Sequence, residues 1–431
     1  MQDLGIISPS LEEFRERAVT HRVIPVCIKI LADSLTPIGI YRSLVLHDGA
    51  ADPGTFLLES AKIATEGESA AWDRYSFIGA SSRSTLTTRD GKIYWQGQTP
   101  AGAPTEGDPV EAIDQTLRML HTEPVPGLPP LTSGLVGYLG WDVVRRWENL
   151  PYPPADDVNL PEFALNMVSD MAIHDNTDGT VLLIANAINF NDTDENVDDA
   201  YVDAVERLHR MLQQLEQGAS ETASVLTGVS EVNARIHREV TQTWSVQGYQ
   251  DAIDRCKKNI IDGDVFQIVI SRRFEVETGA DALDVYRVLR QSNPSPYMYL
   301  FNFEDAEGIP FQIVGSSPEA LVTLKEGRAT SHPIAGSRPR GATREQDIAL
   351  AEELLADQKE RSEHLMLVDL ARNDLSRIAK PGTVSVDEFM VIERFSHIMH
   401  ISSSVSAELD PQFSAYDVLR VAFPAGTLSG A

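Results

Sequence analysis

The sequence has few cysteines and few basic residues, and each shortage excludes a class of protein. Only two cysteines, Cys27 and Cys256, occur in 431 residues, and no C-x-x-C pattern is present. A disulfide framework and a thiolate zinc site are therefore excluded. The 36 basic residues face 64 acidic ones, which gives a formal net charge of −28. Such a charge argues against nucleic acid and against an anionic membrane surface as partners.

Long apolar runs are also missing. The longest, around residues 181–190, is too short to cross a bilayer. The N-terminus, MQDLGIISPSLEEF, lacks the basic region and apolar run of a secretory signal. We therefore expect a cytoplasmic protein without a membrane partner. The chain contains no internal repeat, and its length suits roughly two to three domain-sized units or one large intertwined core.

The hydrophobic pattern predicts helices and strands on both sides of a polar segment at residues 216–243, which we take as a domain boundary. Before it we predict strands at 23–30, 55–60, 74–79, 163–174 and 180–189, a hairpin at 83–98, and helices at 11–20, 109–121 and 194–215. After it we predict a helix ending at Gly263, a strand at 265–276, a loop at 332–340 and a helix at 358–371.

The stretch 357–374, DQKERSEHLMLVDLARND, crowds carboxylates into a segment patterned as a buried helix. Asp357 and Glu360 have the spacing of a helix-start capping box. Glu360 and Glu363, three residues apart, then lie side by side along the rim of an apolar stripe. We assign that stripe to Leu365, Leu367, Val368 and Leu370. Two interpretations stay open: a solvated acidic first turn that complements the helix dipole, or half of a Mg²⁺ site.

Other polar residues have an ordinary interpretation beside a functional one. Glu319 follows a strand in SSPEA, at a strand-to-turn junction. Gln267 alternates with apolar residues, as the polar face of a strand does. His397 and His400 lie in a β-rich run, where a core or surface histidine is as reasonable as a general base.

Nine motifs in one order carry a resemblance to a known family. They are TFLLES, DRYSFIG, GDVFQIVISRRF, NPSPYMYL, SSPEA, PIAGSRPRG, KERSEHLMLVDLARNDL, HIMH and PAGTLSGA. With them the sequence resembles the chorismate-utilising enzymes and, among these, the anthranilate synthase component I family. The resemblance implies an α+β fold in which large antiparallel β-sheets pack as a sandwich with outer helices, the N-terminal region being interwoven with the catalytic part. It also implies a regulatory and partner-binding region at 1–240 and a chorismate-binding catalytic region at 245–431.

The implied reaction converts chorismate and ammonia to anthranilate and pyruvate, the first committed step of tryptophan biosynthesis. Ammonia would come from a separate glutamine amidotransferase subunit or from ammonium salt, since neither cysteine lies in a nucleophile-like turn. Gln267 stands where water-using relatives have a lysine base, and Ala335 stands where the para-aminobenzoate branch often has a lysine nucleophile. Both residues favour anthranilate. Aminodeoxychorismate synthase component I stays an alternative, because some of its members lack that lysine.

The resemblance also implies roles for individual residues. Glu319 matches the acid that protonates the departing C4 hydroxyl, and His400 matches the base that removes the C2 proton. Glu363 matches a direct Mg²⁺ ligand, and Glu360 matches a ligand that acts through water. Gly336, Ser337 and Thr427 match residues of the substrate pocket, with Ser337 replacing the threonine of most relatives.

A tryptophan-inhibition site is implied by two short segments. These are Leu58, Glu59 and Ser60, and Pro296, Tyr297 and Met298. A strand-end carboxylate suits the amino group of tryptophan, while proline, tyrosine and methionine suit its indole. The ordinary interpretation of the same residues is core and turn packing.

The sequence stops at PAGTLSGA, where the family continues with a further catalytic segment. In the family, that segment supplies a second acidic pair for magnesium and an arginine and a tyrosine that bind substrate carboxylates. We therefore expect a C-terminally truncated chain with little or no activity. An alternative from another class is a catalytically inactive tryptophan-binding protein.

Overall fold

The computed structural model of the chain describes residues 3–61, 74–120, 125–218, 240–395, 397–426 and 428. The chain forms two compact units. The first comprises Met1–Thr222 and Ala282–Pro318, and the second comprises Ala223–Asp281 and Glu319–Ala431. The chain thus returns to the first unit after entering the second, which fits the expected interweaving of the N-terminal region. The functions assigned to regions 1–240 and 245–431 stay predictions.

The strands of the described residues, in chain order, are β1 (Ile7–Ser8), β2 (Val23–Leu31), β3 (Leu46–His47), β4 (Ala50–Ala51), β5 (Phe56–Glu59), β6 (Tyr75–Arg89), β7 (Lys92–Gly97), β8 (Leu135–Leu139), β9 (Phe163–Asp175), β10 (Thr180–Ile188), β11 (Val240–Gln242), β12 (Phe274–Val276), β13 (Tyr297–Glu304), β14 (Pro310–Ser317), β15 (Thr323–Lys325), β16 (Arg328–Ser331), β17 (Ile334–Pro339), β18 (Ser385–Arg394) and β19 (Ile398–Glu408). The helices are α1 (Leu11–Ala18), α2 (Pro37–Val45), α3 (Pro109–Met119), α4 (Val197–Gln217), α5 (Val246–Asp262), α6 (Ala282–Ser292), α7 (Arg344–Ala356), α8 (Gln358–Ser376) and α9 (Ala415–Ala422), with a 3₁₀ helix at Trp141–Arg146. None of these described helices is both long and apolar enough to cross a membrane.

The first unit contains a ten-stranded antiparallel sheet in the order β1-β2-β10-β9-β6-β5-β13-β14, with β7 beside β6 and β8 beside β9. The helices α1, α2, α4 and α6 cover one face over an aliphatic core, and an aromatic cluster fills the other. The predicted hairpin is confirmed. Asp90 and Gly91 adopt φ of 52° and 69°, the left-handed conformation that a two-residue hairpin turn requires.

The second unit contains a five-stranded antiparallel sheet whose central strand is β19. On one side β19 pairs with β16 and β17, and on the other with β18. Successive side chains of a strand point to opposite faces. Met399 and Ile401 are buried with residues of α7, and Val405 with residues of α8 and α9. The intervening His400 therefore lies on the face away from these helices.

The predicted strand at 265–276 is wrong over most of its length, because only Phe274–Val276 forms a strand, paired with the three residues of β11. Alternation of apolar residues indicated an amphipathic strand but not a partner for it. Phe266 and Val269 are 91% and 53% exposed, so no buried face stabilises the run. The predicted loop at 332–340 is also wrong. Residues Ile334–Pro339 form strand β17, whose flanking prolines suit its place at the edge of the sheet.

The helix predicted at 358–371 is confirmed and extends to Ser376. Its buried side chains are His364, Val368, Ala371 and Leu375, which recur at helical spacing. The assignment of Leu365 to the core was wrong, since its side chain is 47% exposed. The period of the helix places the polar His364, rather than Leu365, on the face that packs against β19.

Candidate functional site

Several predicted site residues meet around strand β17 in the second unit. Ser337 on β17 lies directly opposite His400 on β19. Its oxygen Oγ lies 2.9 Å from His400 Nδ1, and the carbonyl oxygen of Gly336 lies 3.2 Å from the same nitrogen. Because a carbonyl oxygen only accepts, the second contact places hydrogen on Nδ1 and leaves the lone pair on Nε2. In this tautomer Nε2 is the nitrogen that can accept a proton.

Gly336 occupies a β-bulge between the His400 row and helix α8. The register of β17 against β19 shifts between Ala335 and Ser337, and Gly336 adopts a φ of 75°. A Cβ atom at this position would lie 3.2 Å from Leu354 Cδ1 and 3.3 Å from Glu360 Oε2. Only glycine combines this left-handed conformation with so close an approach to the acidic helix.

Glu319 is a partly buried carboxyl group two residues beyond β14, at the strand-to-turn junction that the sequence predicted. Burial and, second to it, the negative charge of Glu393 together raise its pKa to about 8. At neutral pH the group is therefore mostly protonated. A carboxyl group in this state can donate a proton to a leaving hydroxyl.

The start of α8 presents the two predicted metal ligands. Asp357 caps the helix by accepting hydrogen bonds from the amides of Lys359 (2.9 Å) and Glu360 (3.2 Å). In the described ranges, the side chain of Glu363 makes no hydrogen bond or ion pair, and no group of three His, Cys, Asp or Glu residues forms a metal centre. Mg²⁺ in proteins is commonly bound by one or two carboxylates, and its other coordination positions hold water and an anionic substrate. The arrangement therefore suits a magnesium ion shared with a substrate.

Arg338, two residues beyond Gly336, was missed by sequence reasoning. Its guanidinium donates to Glu353 at 2.6 and 2.8 Å and to Asp357 at 3.0 Å, and it lies 3.9 Å from Glu360 Oε1. Glu353 and Asp357 raise the pKa of Arg338, the hydrogen bond to Glu353 most of all. Arg338 thereby ties β17 to the end of α7 and to the cap of α8. Its position in the GSRPR motif, beside Gly336 and Ser337, could have marked it as a site residue. Its partners could not be predicted, because the fold determines which carboxylates it meets.

The structure does not test two of the predicted site residues. Gln267 lies in the irregular stretch before β12, and no described hydrogen bond links it to Glu319 or His400. Its catalytic role stays a prediction. Thr427 lies outside the described residues.

The two segments of the predicted inhibitor site are adjacent in the first unit. Glu59 lies opposite Met298, and Leu58 opposite Tyr299, on the paired strands β5 and β13. Glu59 is only 5% exposed. Its carboxylate accepts hydrogen bonds from the Tyr286 hydroxyl at 2.9 Å and from Arg290 Nε and Nη2 at 2.8 Å each. Sequence reasoning missed both partners, which lie on α6.

Comparisons with known proteins agree on one family. A family model described as chorismate binding enzyme matches residues 60–431. The chain is 59% identical to anthranilate synthase component 1 of Arthrobacter globiformis, over 100% of this chain and 79% of that protein. It is 52% identical to the protein of the same name from Mycolicibacterium smegmatis, over 98% of this chain and 78% of that protein.

Among solved structures, anthranilate synthase component I from Streptococcus pneumoniae matches with a TM-score of 0.67 and 28% identity, covering 86% of this chain and 76% of that chain. The match supports the mixed fold with large antiparallel sheets. Because the family model spans most of the sequence and the relatives align along nearly all of it, the chain belongs to the family of chorismate binding enzymes.

Proposed function

We propose that this chain is the chorismate-binding component of an anthranilate synthase. The observation that carries the proposal is the pairing of a protonated carboxyl group, Glu319, with a pre-oriented imidazole, His400, in a chain 59% identical to a protein of that name. Two groups held in different protonation states suit a reaction that first protonates a leaving group and then removes a proton.

The proposed steps follow from those two groups. Ammonia attacks C2 of chorismate, the C4 hydroxyl leaves as water with the proton of Glu319, and the added nitrogen loses one proton. His400 Nε2 then takes the C2 proton, the C3–O bond to the enolpyruvyl group breaks, and the ring becomes aromatic. The released enolate of pyruvate takes up a proton from water on its methylene carbon to give pyruvate. Ser337 and the Gly336 carbonyl hold the imidazole in the tautomer that this step requires.

The test is a fluorescence assay for anthranilate with chorismate, Mg²⁺ and ammonium salt at mildly alkaline pH. Because the chain spans 79% of the Arthrobacter globiformis relative, it is assayed beside a form extended with the C-terminal residues of that relative. Anthranilate from either form supports the proposal. Isochorismate or aminodeoxychorismate as product, or no product from either form, contradicts it.

Ammonia is proposed to come from a glutamine amidotransferase subunit. With that subunit added, glutamine should replace ammonium salt as the nitrogen source. Glutamine that gives no anthranilate under conditions where ammonium does so would contradict the partnership.

Mg²⁺ is proposed as the cofactor, held by Glu363 directly and by Glu360 through water. Arg338 lies 3.9 Å from Glu360 and already offsets part of its charge, which supports the less direct role for Glu360. When bound, the ion would supply a positive charge that holds the substrate carboxylate beside an acidic protein. The protein's own part is to fix the helix start through the Asp357 cap and Arg338.

The substitution Glu363→Gln is expected to weaken Mg²⁺ binding about tenfold or more, because it removes a charged oxygen ligand while conserving shape. Calorimetric titration of Mg²⁺ into the protein measures this without turnover. Asp369→Asn is the control, since Asp369 is 61% exposed on the same helix and pairs with Arg372. Equal Mg²⁺ affinity in both variants would exclude Glu363 as a ligand.

Tryptophan is proposed to inhibit the enzyme by binding beside Glu59. Among the described contacts, Oε1 of Glu59 accepts from Arg290 alone, so this oxygen keeps a lone pair for one N–H of an ammonium group. The neighbouring Pro296 is partly exposed and provides apolar surface, whereas Met298 is 1% exposed and packs in the core beneath it. Arg290 and Tyr286 hold the carboxylate in one orientation.

Glu59→Gln is therefore expected to weaken tryptophan binding about tenfold, because a charge-assisted hydrogen bond becomes a neutral one. Calorimetry with tryptophan alone measures the affinity. Glu307→Gln is the matched control, since this carboxylate of the same unit is 62% exposed. If the Glu59→Gln variant binds tryptophan as tightly as the control, tryptophan does not bind beside Glu59.

A further inference from the structure

Glu393 lies opposite His400 in the five-stranded sheet of the second unit. On strand β18 it lies directly opposite His400 of β19, and His400 lies directly opposite Ser337 of β17. Residues directly opposite each other in antiparallel strands share a face of the sheet, with Cβ atoms about 5 Å apart. Glu393, His400 and Ser337 thus form one row of carboxylate, imidazole and hydroxyl across three strands.

The neighbouring cations do not belong to this row. Arg338 and Arg394 both lie opposite Met399, whose side chain is buried on the helix-covered face. There Arg338 pairs with Glu353 and Arg394 pairs with Asp347. On the described parts of these strands, Glu388 and Glu408 share this face farther along β19, opposite Ser404 and Arg328, so Glu393 is the carboxylate that lies in the row of His400 and Ser337.

The charge of Glu393 also reaches Glu319, since it contributes to the raised pKa of that carboxyl group. The charge of Glu393 therefore acts on the acid, and its position opposite His400 places it beside the base of the same reaction. A negative charge beside an acid favours its protonated form, and a negative charge beside an imidazole favours the imidazolium that forms when the base has taken its proton.

We propose that Glu393 is a positioning residue that acts through these two neighbours, keeping Glu319 in its acid form and stabilising the imidazolium of His400. This inference rests on the proposed function, because it assumes that Glu319 gives a proton and His400 takes one. It assigns to Glu393 no contact with the reacting atoms.

The test is the isosteric substitution Glu393→Gln, with Glu388→Gln as its matched control. Glu388 lies on the same strand, is exposed, and pairs in register with Ser404 rather than His400. Both variants lose one negative charge, so a general effect of net charge is the same in each. Thermal unfolding of the two variants shows whether either has lost its fold.

Glu319 is followed by NMR of protein labelled with ¹³C at glutamate carboxyl carbons, its resonance being the one lost in Glu319→Gln. In Glu393→Gln the titration midpoint of Glu319 is expected to fall by about one pH unit. The alkaline limb of the kcat/KM profile should move with it, and kcat should fall about tenfold with KM nearly unchanged. Glu388→Gln should leave all of these unchanged.

An unmoved Glu319 midpoint in Glu393→Gln, or an unchanged kcat, overturns the inference. The NMR titration needs no turnover. Failure of the proposed function would show as no anthranilate from the unsubstituted protein, whereas failure of this inference would show as an unmoved midpoint.

Discussion

Glu319→Gln is expected to lower kcat for anthranilate formation by about 10³-fold while making the folded protein more stable at alkaline pH. The loss of activity follows from the loss of a general acid, because glutamine matches the shape of the side chain but cannot give up a proton. A neutral amide satisfies the same partly buried position without a charge. Activity and stability should therefore change in opposite directions.

The pH dependence of stability has a definite sign. Burial and the charge of Glu393 raise the pKa of Glu319 to about 8 from its ordinary value of 4.5. Between these two values the folded state holds a proton that the unfolded state releases, so the free energy of unfolding falls as pH rises through that window. Glu319→Gln removes this dependence. Above pH 8 the variant is expected to be more stable by about 2 kcal/mol, a value that allows for solvent around a partly buried group.

Urea unfolding at several pH values and steady-state assays measure the two effects. Glu352→Gln is the control, since Glu352 is exposed on α7 and lies in no part of the proposed site. It should change neither kcat nor the pH dependence of unfolding. A Glu319→Gln variant that retains normal kcat, or that unfolds with the pH dependence of the parent, would show that Glu319 is not a buried acid.

Sequence reasoning succeeded where a feature is local. The hairpin turn at Asp90 and Gly91 is confirmed, and so is the N-cap at Asp357. The full capping box is not formed, because the backbone N–H of Asp357 donates to Glu353 and Leu354 of the preceding helix rather than to the side chain of Glu360. The strand predicted at 265–276 failed because periodicity indicates a buried face but says nothing about a partner strand. Phe266 is 91% exposed, which shows that an alternating pattern forms a strand only where a partner strand is available.

The residues of the candidate site are predictions from the family resemblance, and their connections could not be predicted from the sequence. Glu319 and His400 came from the family resemblance, whereas Glu393 and Arg338 emerged only with the register of β17, β18 and β19. That register includes a bulge at Gly336 and joins residues more than 60 positions apart, such as Ser337 and His400. Hydrophobic periodicity cannot show where a bulge shifts one strand against another.

Gly336→Ala is expected to lower kcat/KM about 100-fold, the second of the large effects, with only moderate loss of stability. The new methyl group would meet Leu354 Cδ1 at 3.2 Å and Glu360 Oε2 at 3.3 Å, and the backbone holds a φ of 75° that alanine disfavours. The side chain of Leu354 or of Glu360 must then shift by a few tenths of an ångström, which displaces the carboxylate of the proposed metal ligand. Displacement of a positioned group by about 1 Å can cost 10²-fold in rate.

Gly327→Ala separates the effect of the left-handed backbone from the effect of the close contact with Glu360. Gly327 has the same φ of 75°, but no atom lies within 4 Å of its added Cβ. Both variants should lose about 1 kcal/mol of unfolding free energy from the left-handed backbone. Only Gly336→Ala should also lose activity and bind Mg²⁺ more weakly, since only there does the methyl group reach Glu360. If the two variants have the same kcat/KM, the approach of Gly336 to Glu360 has no part in catalysis. The bulge would then serve only to set the register of β17 against β19.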